Sequence, residues 1–280
     1  MINISVVSSR YIFEYQFYRK LLVILGLLIS IILLLIPLMF IFVIASSEGL
    51  MILWKNLNNS DMLHAIRLTL LIALISVPIN LFFGIMISWL ITRFNFFGRQ
   101  LLLVLIDIPF VISPVIAGLL YLLFYNNNSF IGGYLDSYDV QIMFAWPGMI
   151  LVTIFVTSPF VVHEVVPLML SQGTQEDEAA ILLGASSWQM FRFVTLPNIR
   201  WSLIYGAILT NARAIGEFGA VSIVSGFIRG ETYTLPLQVE LLYQDYNVVG
   251  AFVAASLLAF ISIVILFLKK IVFWYLVHRS

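Results

Sequence analysis

The chain has 280 residues, of which 62% are hydrophobic and only 10% charged, and its formal net charge is zero. A soluble domain carries about 25% charged residues, so this composition excludes one and places the chain in a lipid bilayer. There is no cysteine, which excludes disulfides, zinc thiolate sites and iron–sulfur clusters, and the neutral balance offers no broad basic surface for nucleic acid.

Residues 1–20 carry Arg10, Arg19 and Lys20 among several aromatics and read as an interfacial segment on the cytoplasmic side. Residues 21–44 form an apolar run, longer than the roughly 20 residues a membrane crossing needs. Val43-Ile44-Ala45 loosely fits a signal cleavage site, but the run exceeds the about 7–15 apolar residues of a signal peptide, so we read an uncleaved first helix. Further spans are expected at residues 64–91, 101–125, 144–168, 201–224 and 248–273. Pro78, Pro109, Pro114, Pro147 and Pro159 fall inside them, where neighbouring helices can satisfy the freed carbonyls. The turn Asn126-Asn127-Asn128 and Gly132-Gly133 is expected to close the third. The fold class is therefore all-α integral membrane, with six transmembrane helices in a single domain over residues 1–280.

Cation placement sets the orientation. Arg10, Arg19, Lys20, Arg93, Arg99, Arg192, Arg200, Lys269, Lys270 and Arg279 fall on one side, against Lys55, Arg67 and Arg229 on the other. The first side is cytoplasmic, with both termini inside.

Residues 174–197 form the one long polar-flanked interruption. Thr174 with Asp177, and Ser186 with Gln189, both have the capping-box spacing. Glu176, Asp177 and Glu178 suit the first turn of a helix, where the dipole favours negative charge. Gly184 stands where a C′ glycine belongs, and Pro197 is expected to end the second short helix. The local reading is helix, glycine turn, helix, which an ordinary loop hairpin would also satisfy.

The fifth span carries a stripe of small and polar residues at helical spacing: Ser202, Gly206, Thr210, Arg213, Glu217 and Ala220. An arginine near mid-span costs about 2.5–3.5 kcal/mol, so Arg213 must face protein or water, with Glu217 one turn away to neutralise it. The pair either fixes packing or lines a route and tunes anion passage. Asp107, His163 and Glu164 read as interfacial or helix-packing residues. No phosphate-binding GxxxxGK[ST] loop, HExxH helix or nucleophile elbow occurs, so any energy must come from another subunit.

Glu178-Ala179-Ala180, Gly184, Val194 and Leu196-Pro197 together resemble the EAA loop of ABC-importer permeases, with Val194 where the family most often has Ile. That resemblance extends over about residues 60–275. It implies the binding-protein-dependent permease fold, and a coupling helix that docks on a cytoplasmic ATPase through Glu178, Ala179, Ala180, Gly184, Leu196 and Pro197. Residues 212–221 and 224–226 look like the fifth helix of sulfate and molybdate permeases. The segment from Arg229 to Tyr243 is similar to that of W-type subunits of sulfate/thiosulfate importers.

The resemblance implies several partners. They are a second, T-type permease, two ATPase subunits that use ATP and Mg, an external sulfate-binding protein, and sulfate or thiosulfate as substrate. No cofactor or metal is implied for this chain. Thr210, Arg213 and Glu217 become candidates for the pathway or its gate. The expected location is a bacterial plasma membrane or the inner membrane of a plastid. A molybdate or tungstate permease, which has the same mechanism, is the alternative. A passive channel would need no coupling loop.

Overall fold

The computed structural model describes residues 18–126 and 128–277, and every regular element among them is helical. The interfacial reading of residues 1–17, Asn127 and Arg279 fall outside the described residues. In chain order the helices are α1 (Tyr18–Ser46), α2 (Leu50–Leu57), α3 (Ser60–Arg93), α4 (Arg99–Val111), α5 (Pro114–Tyr125) and α6 (Phe130–Asp136). There follow α7 (Trp146–Gln172), α8 (Gln175–Leu182), α9 (Ser187–Ile215), α10 (Gly219–Ser225), α11 (Leu235–Gln244) and α12 (Val248–Val277).

Four helices, α1, α3, α7 and α12, are long and apolar enough to cross a membrane unaided. The pairs α4–α5 and α9–α10 bring the number to six when each bent pair counts as one span.

Two expectations change here. Residues 101–125 are not one straight helix: α4 and α5 meet at 108°. Pro114 opens α5 at its first position and holds Ser113 at ψ 136°, and Ile112 before it is also extended, at ψ 132°. The fifth span likewise breaks after Ile215 and turns by 53° into α10.

Pro197 does the opposite of what its type suggests. Helix α9 runs through it without ending, because Phe191–Thr195 form a π-helical turn just before it. The Leu196 N–H reaches back to the Phe191 carbonyl, so the turn is one residue wider where the proline ring would otherwise crowd the backbone. The same device recurs in α1, where Ile31–Leu35 are π-helical ahead of Pro37.

Two loops also hold unexpected helices. Gly132-Gly133 lie inside α6, capped by the Ser129 hydroxyl, and Leu235 to Gln238 of α11 are buried. The Leu235 N–H donates to Thr69 Oγ1 at 2.8 Å, which fastens α11 to α3.

The centre of the molecule is the packing of α3, α7 and α9. Asn80 donates to Thr157 Oγ1 at 2.7 Å across the α3–α7 contact, with both side chains buried. Val161 of α7 sits between two glycines. A Cβ at Gly84 would fall 2.4 Å from its side chain, and one at Gly206 would fall 3.2 Å from its Cα. Small residues at these crossings are what let membrane helices approach closely. Helix α1 stands apart, exposed through its apolar window, and touches the body by its Ile36–Ser46 half against α12.

Candidate functional site

The hairpin of α8 and the start of α9 forms largely as its residues predict. Glu176, Asp177 and Glu178 occupy the first turn of α8. Thr174 departs from the expected capping box: its hydroxyl donates to Glu178 Oε1 at 2.6 Å rather than accepting from the backbone. At the other end Gly184 has φ +89°, its N–H bonds the Ile181 carbonyl, and Ala185 N–H bonds the Ala180 carbonyl. That pair of bonds is a Schellman motif, and its left-handed residue is the glycine. Ser186 and Gln189 then make the full capping box, at 3.3 and 2.8 Å, and start α9.

What fixes this hairpin to the spans is a carboxylate that sequence reasoning placed only in a first turn. Asp177 is buried. Arg93 Nε, from the last turn of α3, lies 2.6 Å from its Oδ2, and the Thr195 hydroxyl donates to its Oδ1 at 2.9 Å. Arg93 also donates to the Met169 carbonyl of α7 at 3.4 Å. Asn198 of α9 hydrogen-bonds Glu176, and Gln172 of α7 donates to the Asn198 carbonyl at 3.4 Å. One small helix is thus tied to α3, α7 and α9. The acidic run signals the first turn, but nothing local signals Arg93, which is distant in sequence.

The named hairpin residues divide by position. Glu178 and Ala179 are exposed and Ala180 is half-buried. Leu196 packs against the buried group Val161, Val165, Met169, Ile199 and Leu203, and Pro197 is exposed on α9. Leu182 and Leu183 lie 88% and 89% exposed at the tip, with Ile181 and Trp188 also open. This end presents an apolar knob on a rigidly tied base.

The second group lies at the break in the fifth span. Arg213 Nη1 and Glu217 Oε2 are 2.6 Å apart, and the Glu217 side chain is 1% exposed. The other carboxylate oxygen, Oε1, accepts from the Ala220 N–H at 2.9 Å, in the first turn of α10. Glu217 therefore joins the last turn of α9 to the first turn of α10. Thr210 is fully buried one turn below. Ser202 donates to the Glu164 carbonyl, which holds the stripe against α7.

The two breaks adjoin. A Cβ on Gly219 would stand 3.3 Å from Pro114 Cβ and from Val115 Cγ2, so the α9–α10 break lies on the α4–α5 break. Asp107 and His163, read separately as packing residues, meet at 2.7 Å between α4 and α7.

The description "Binding-protein-dependent transport system inner membrane component" matches residues 81–274. The chain is 68% identical over 91% of its length, and 88% of the relative's, to the sulfate transport system permease protein CysW of Escherichia coli (strain K12). It is 34% identical to the sulfate transport system permease protein CysT of the same strain, over 76% of this chain and 77% of that one. Its fold is similar to a chain of a bacterial alginate ABC transporter in complex with an alginate pentasaccharide-bound periplasmic protein. The TM-score is 0.78 at 17% identity, over 91% of this chain and 93% of the other. The hairpin, the broken helices and these likenesses agree, and the chain belongs to the family of inner membrane components of binding-protein-dependent transport systems.

Proposed function

We propose that this chain is one permease subunit of an ATP-driven importer of sulfate or thiosulfate, seated in a bacterial plasma membrane with both termini in the cytoplasm. The observation that carries the mechanism is the hairpin, an apolar tip held by Asp177 to α3 through Arg93 and to α9 through Thr195, with Arg93 also reaching α7. A docking element that must transmit force needs an adaptable apolar contact outside and stiff polar ties inside, and this one has both. The residues of 174–197 are the coupling segment. Leu182 and Leu183 enter a groove of the ATPase, Glu178, Ala179 and Ala180 shape the docking helix, and Gly184 makes the turn. Leu196 and Pro197 carry the displacement into α9.

The 68% identity with a sulfate permease supports the choice of substrate. The weaker likeness to a T-type permease supports that paralogue as the second half of the pore. Two copies of a cytoplasmic ATPase supply ATP and Mg chemistry, and an external binding protein delivers the anion. ATP-driven closure of the ATPases displaces the hairpins, and the paired breaks at Ser113-Pro114 and Gly216-Phe218 are where the helices flex. Thr210, Arg213 and Glu217 border that hinge. Glu217 braces its two halves, and Arg213 neutralises the carboxylate.

The test is uptake of radiolabelled sulfate into proteoliposomes that hold this chain, the second permease and the ATPase, with the binding protein supplied. Uptake is expected to need ATP and every subunit, and Leu182→Asp with Leu183→Asp is expected to shed the ATPase. Uptake driven by the sulfate gradient alone would make the chain a passive channel and end this reading.

A further inference from the structure

Asp107 and His163 are each 50% exposed at the side chain, yet they sit on apolar helices, Asp107 on the short α4 and His163 on the long α7. At 1.5 Å per residue, His163 lies about 13 Å inside the hairpin end of α7. That depth is within a hydrocarbon layer about 30 Å thick, where a charged side chain facing lipid costs several kcal/mol. The open side of this pair therefore faces water or protein. The exposed surface of α4 continues both ways from the pair, through Val104 and Leu105 to Leu101 and, on the other side, toward the break. Toward the break it runs from Asp107 through Phe110 and Val111 to Ser113, and the Phe110 ring lies against His163 with centroids 5.1 Å apart and planes tilted by 53°. The column thus leads from the pair to the point where both helix breaks meet.

We propose that Asp107 and His163 line the hairpin-side half of the anion route, the imidazole being a contact for the oxyanion and Asp107 the group that keeps this contact weak. The proposal rests on the transport reading above. A ring N–H of His163 can donate to a sulfate oxygen, but here Asp107 Oδ1 already holds the Nε2 position at 2.7 Å. An arriving dianion must compete with a carboxylate that is already in place. The pair carries no net positive charge in either protonation state of the imidazole, so it offers a donor without a deep electrostatic well. A fixed lysine or arginine at the same place would hold a dehydrated dianion and slow its release. The aromatic face of Phe110 leaves the passing ion no competing polar group on that side.

The test uses the assembled complex and the absence of cysteine from this chain. His163→Cys is treated with a water-soluble, charged thiol reagent and, separately, with a membrane-permeable maleimide, and modification of this chain is read by mass. Modification by the charged reagent, slowed at least several-fold by high sulfate, is the expected result. No modification by either reagent would place His163 against the second permease, and modification by the maleimide alone would place it against lipid; both overturn the proposal. The role of the pair is read with Asp107→Asn. Sulfate uptake at saturating binding protein is expected to fall several-fold while ATP hydrolysis stays stimulated, because the freed imidazole retains the ion. Unchanged uptake, or lost uptake with lost stimulation, overturns the assigned role. Should the unsubstituted complex carry no sulfate, the substrate reading fails, while labelling by the charged reagent still decides whether His163 lines a water-filled route.

Discussion

Asp177 sits where three elements meet, and both of its oxygens are engaged, one by Arg93 and one by Thr195. Removing one partner of a buried pair leaves the other charged and unpaired, which costs about 3–5 kcal/mol. Asp177→Ala is therefore expected to lower the thermal unfolding temperature of the complex and to abolish uptake. Replacing both partners, as Arg93→Met with Asp177→Leu, is expected to restore most of the stability but not the coupling. Equal stability losses for the single and double variants would reject the pairing. The Arg213–Glu217 pair responds to the same logic with one difference: Glu217 also receives the Ala220 N–H. Glu217→Gln keeps an acceptor there, so it is expected to be milder than Glu217→Ala, and changing both members to Gln milder than changing Arg213 alone. A double-mutant cycle with near-additive losses would show that the pair is not coupled. Pairs close in sequence, such as Arg213 with Glu217 or Ser186 with Gln189, were legible from spacing. Arg93 with Asp177 and Asp107 with His163 were not, because their contacts are made by helix packing that no local pattern encodes.

The prolines carry the same lesson at the scale of elements. Pro114 and Pro197 have the same local chemistry, yet one starts a new helix and the other rides inside one. At Pro114 the chain is free to turn because α10 lies against the start of α5, where Gly219 allows the approach. At Pro197 the preceding turn opens to π geometry instead, and Thr195 within that turn is fastened to Asp177. The apolar segments were thus legible from hydropathy, four of them as single helices, while the two breaks depended on contacts between elements. The hairpin was read well because its turn is chemically local. Gly184 has φ +89°, and nothing lies within 4 Å of a Cβ built there. Gly184→Ala then tests the backbone alone, at a cost of about 1–2 kcal/mol for a left-handed residue. Gly184→Val adds β-branching and is expected to distort the turn, insert normally in the membrane, and lose uptake. The variant complex should either shed the ATPase or hydrolyse ATP without transport. Normal uptake by Gly184→Val would remove the hairpin from the coupling mechanism.

At the scale of the whole molecule, orientation decides whether the hairpin can meet an ATPase at all. Ten cations fall on the hairpin side by sequence and three on the other, and cytoplasmic loops carry the excess of lysine and arginine. The segment between α5 and α7 agrees, since it contains Asp136 and Asp139 and no cation. The helices place these groups consistently. Arg93 ends α3 beside the hairpin, and the α5–α7 segment lies at the start of α7, the opposite end from Gln172. With each bent pair counted as one crossing, the start of α1 and the end of α12 share the hairpin side. Cysteine substitution tests this without background from the chain itself. Asn128→Cys, exposed in the α5–α6 turn, is expected to react with an impermeant reagent added to intact cells. Gln175→Cys, exposed at the start of α8, is expected to react only in inverted vesicles. Neither position takes part in the ties that hold the hairpin, so both variants should retain uptake and report orientation in a working complex. The reverse labelling pattern would put the apolar tip of Leu182 and Leu183 outside the cell, where no ATPase could reach it, and the coupling mechanism would fall with the topology.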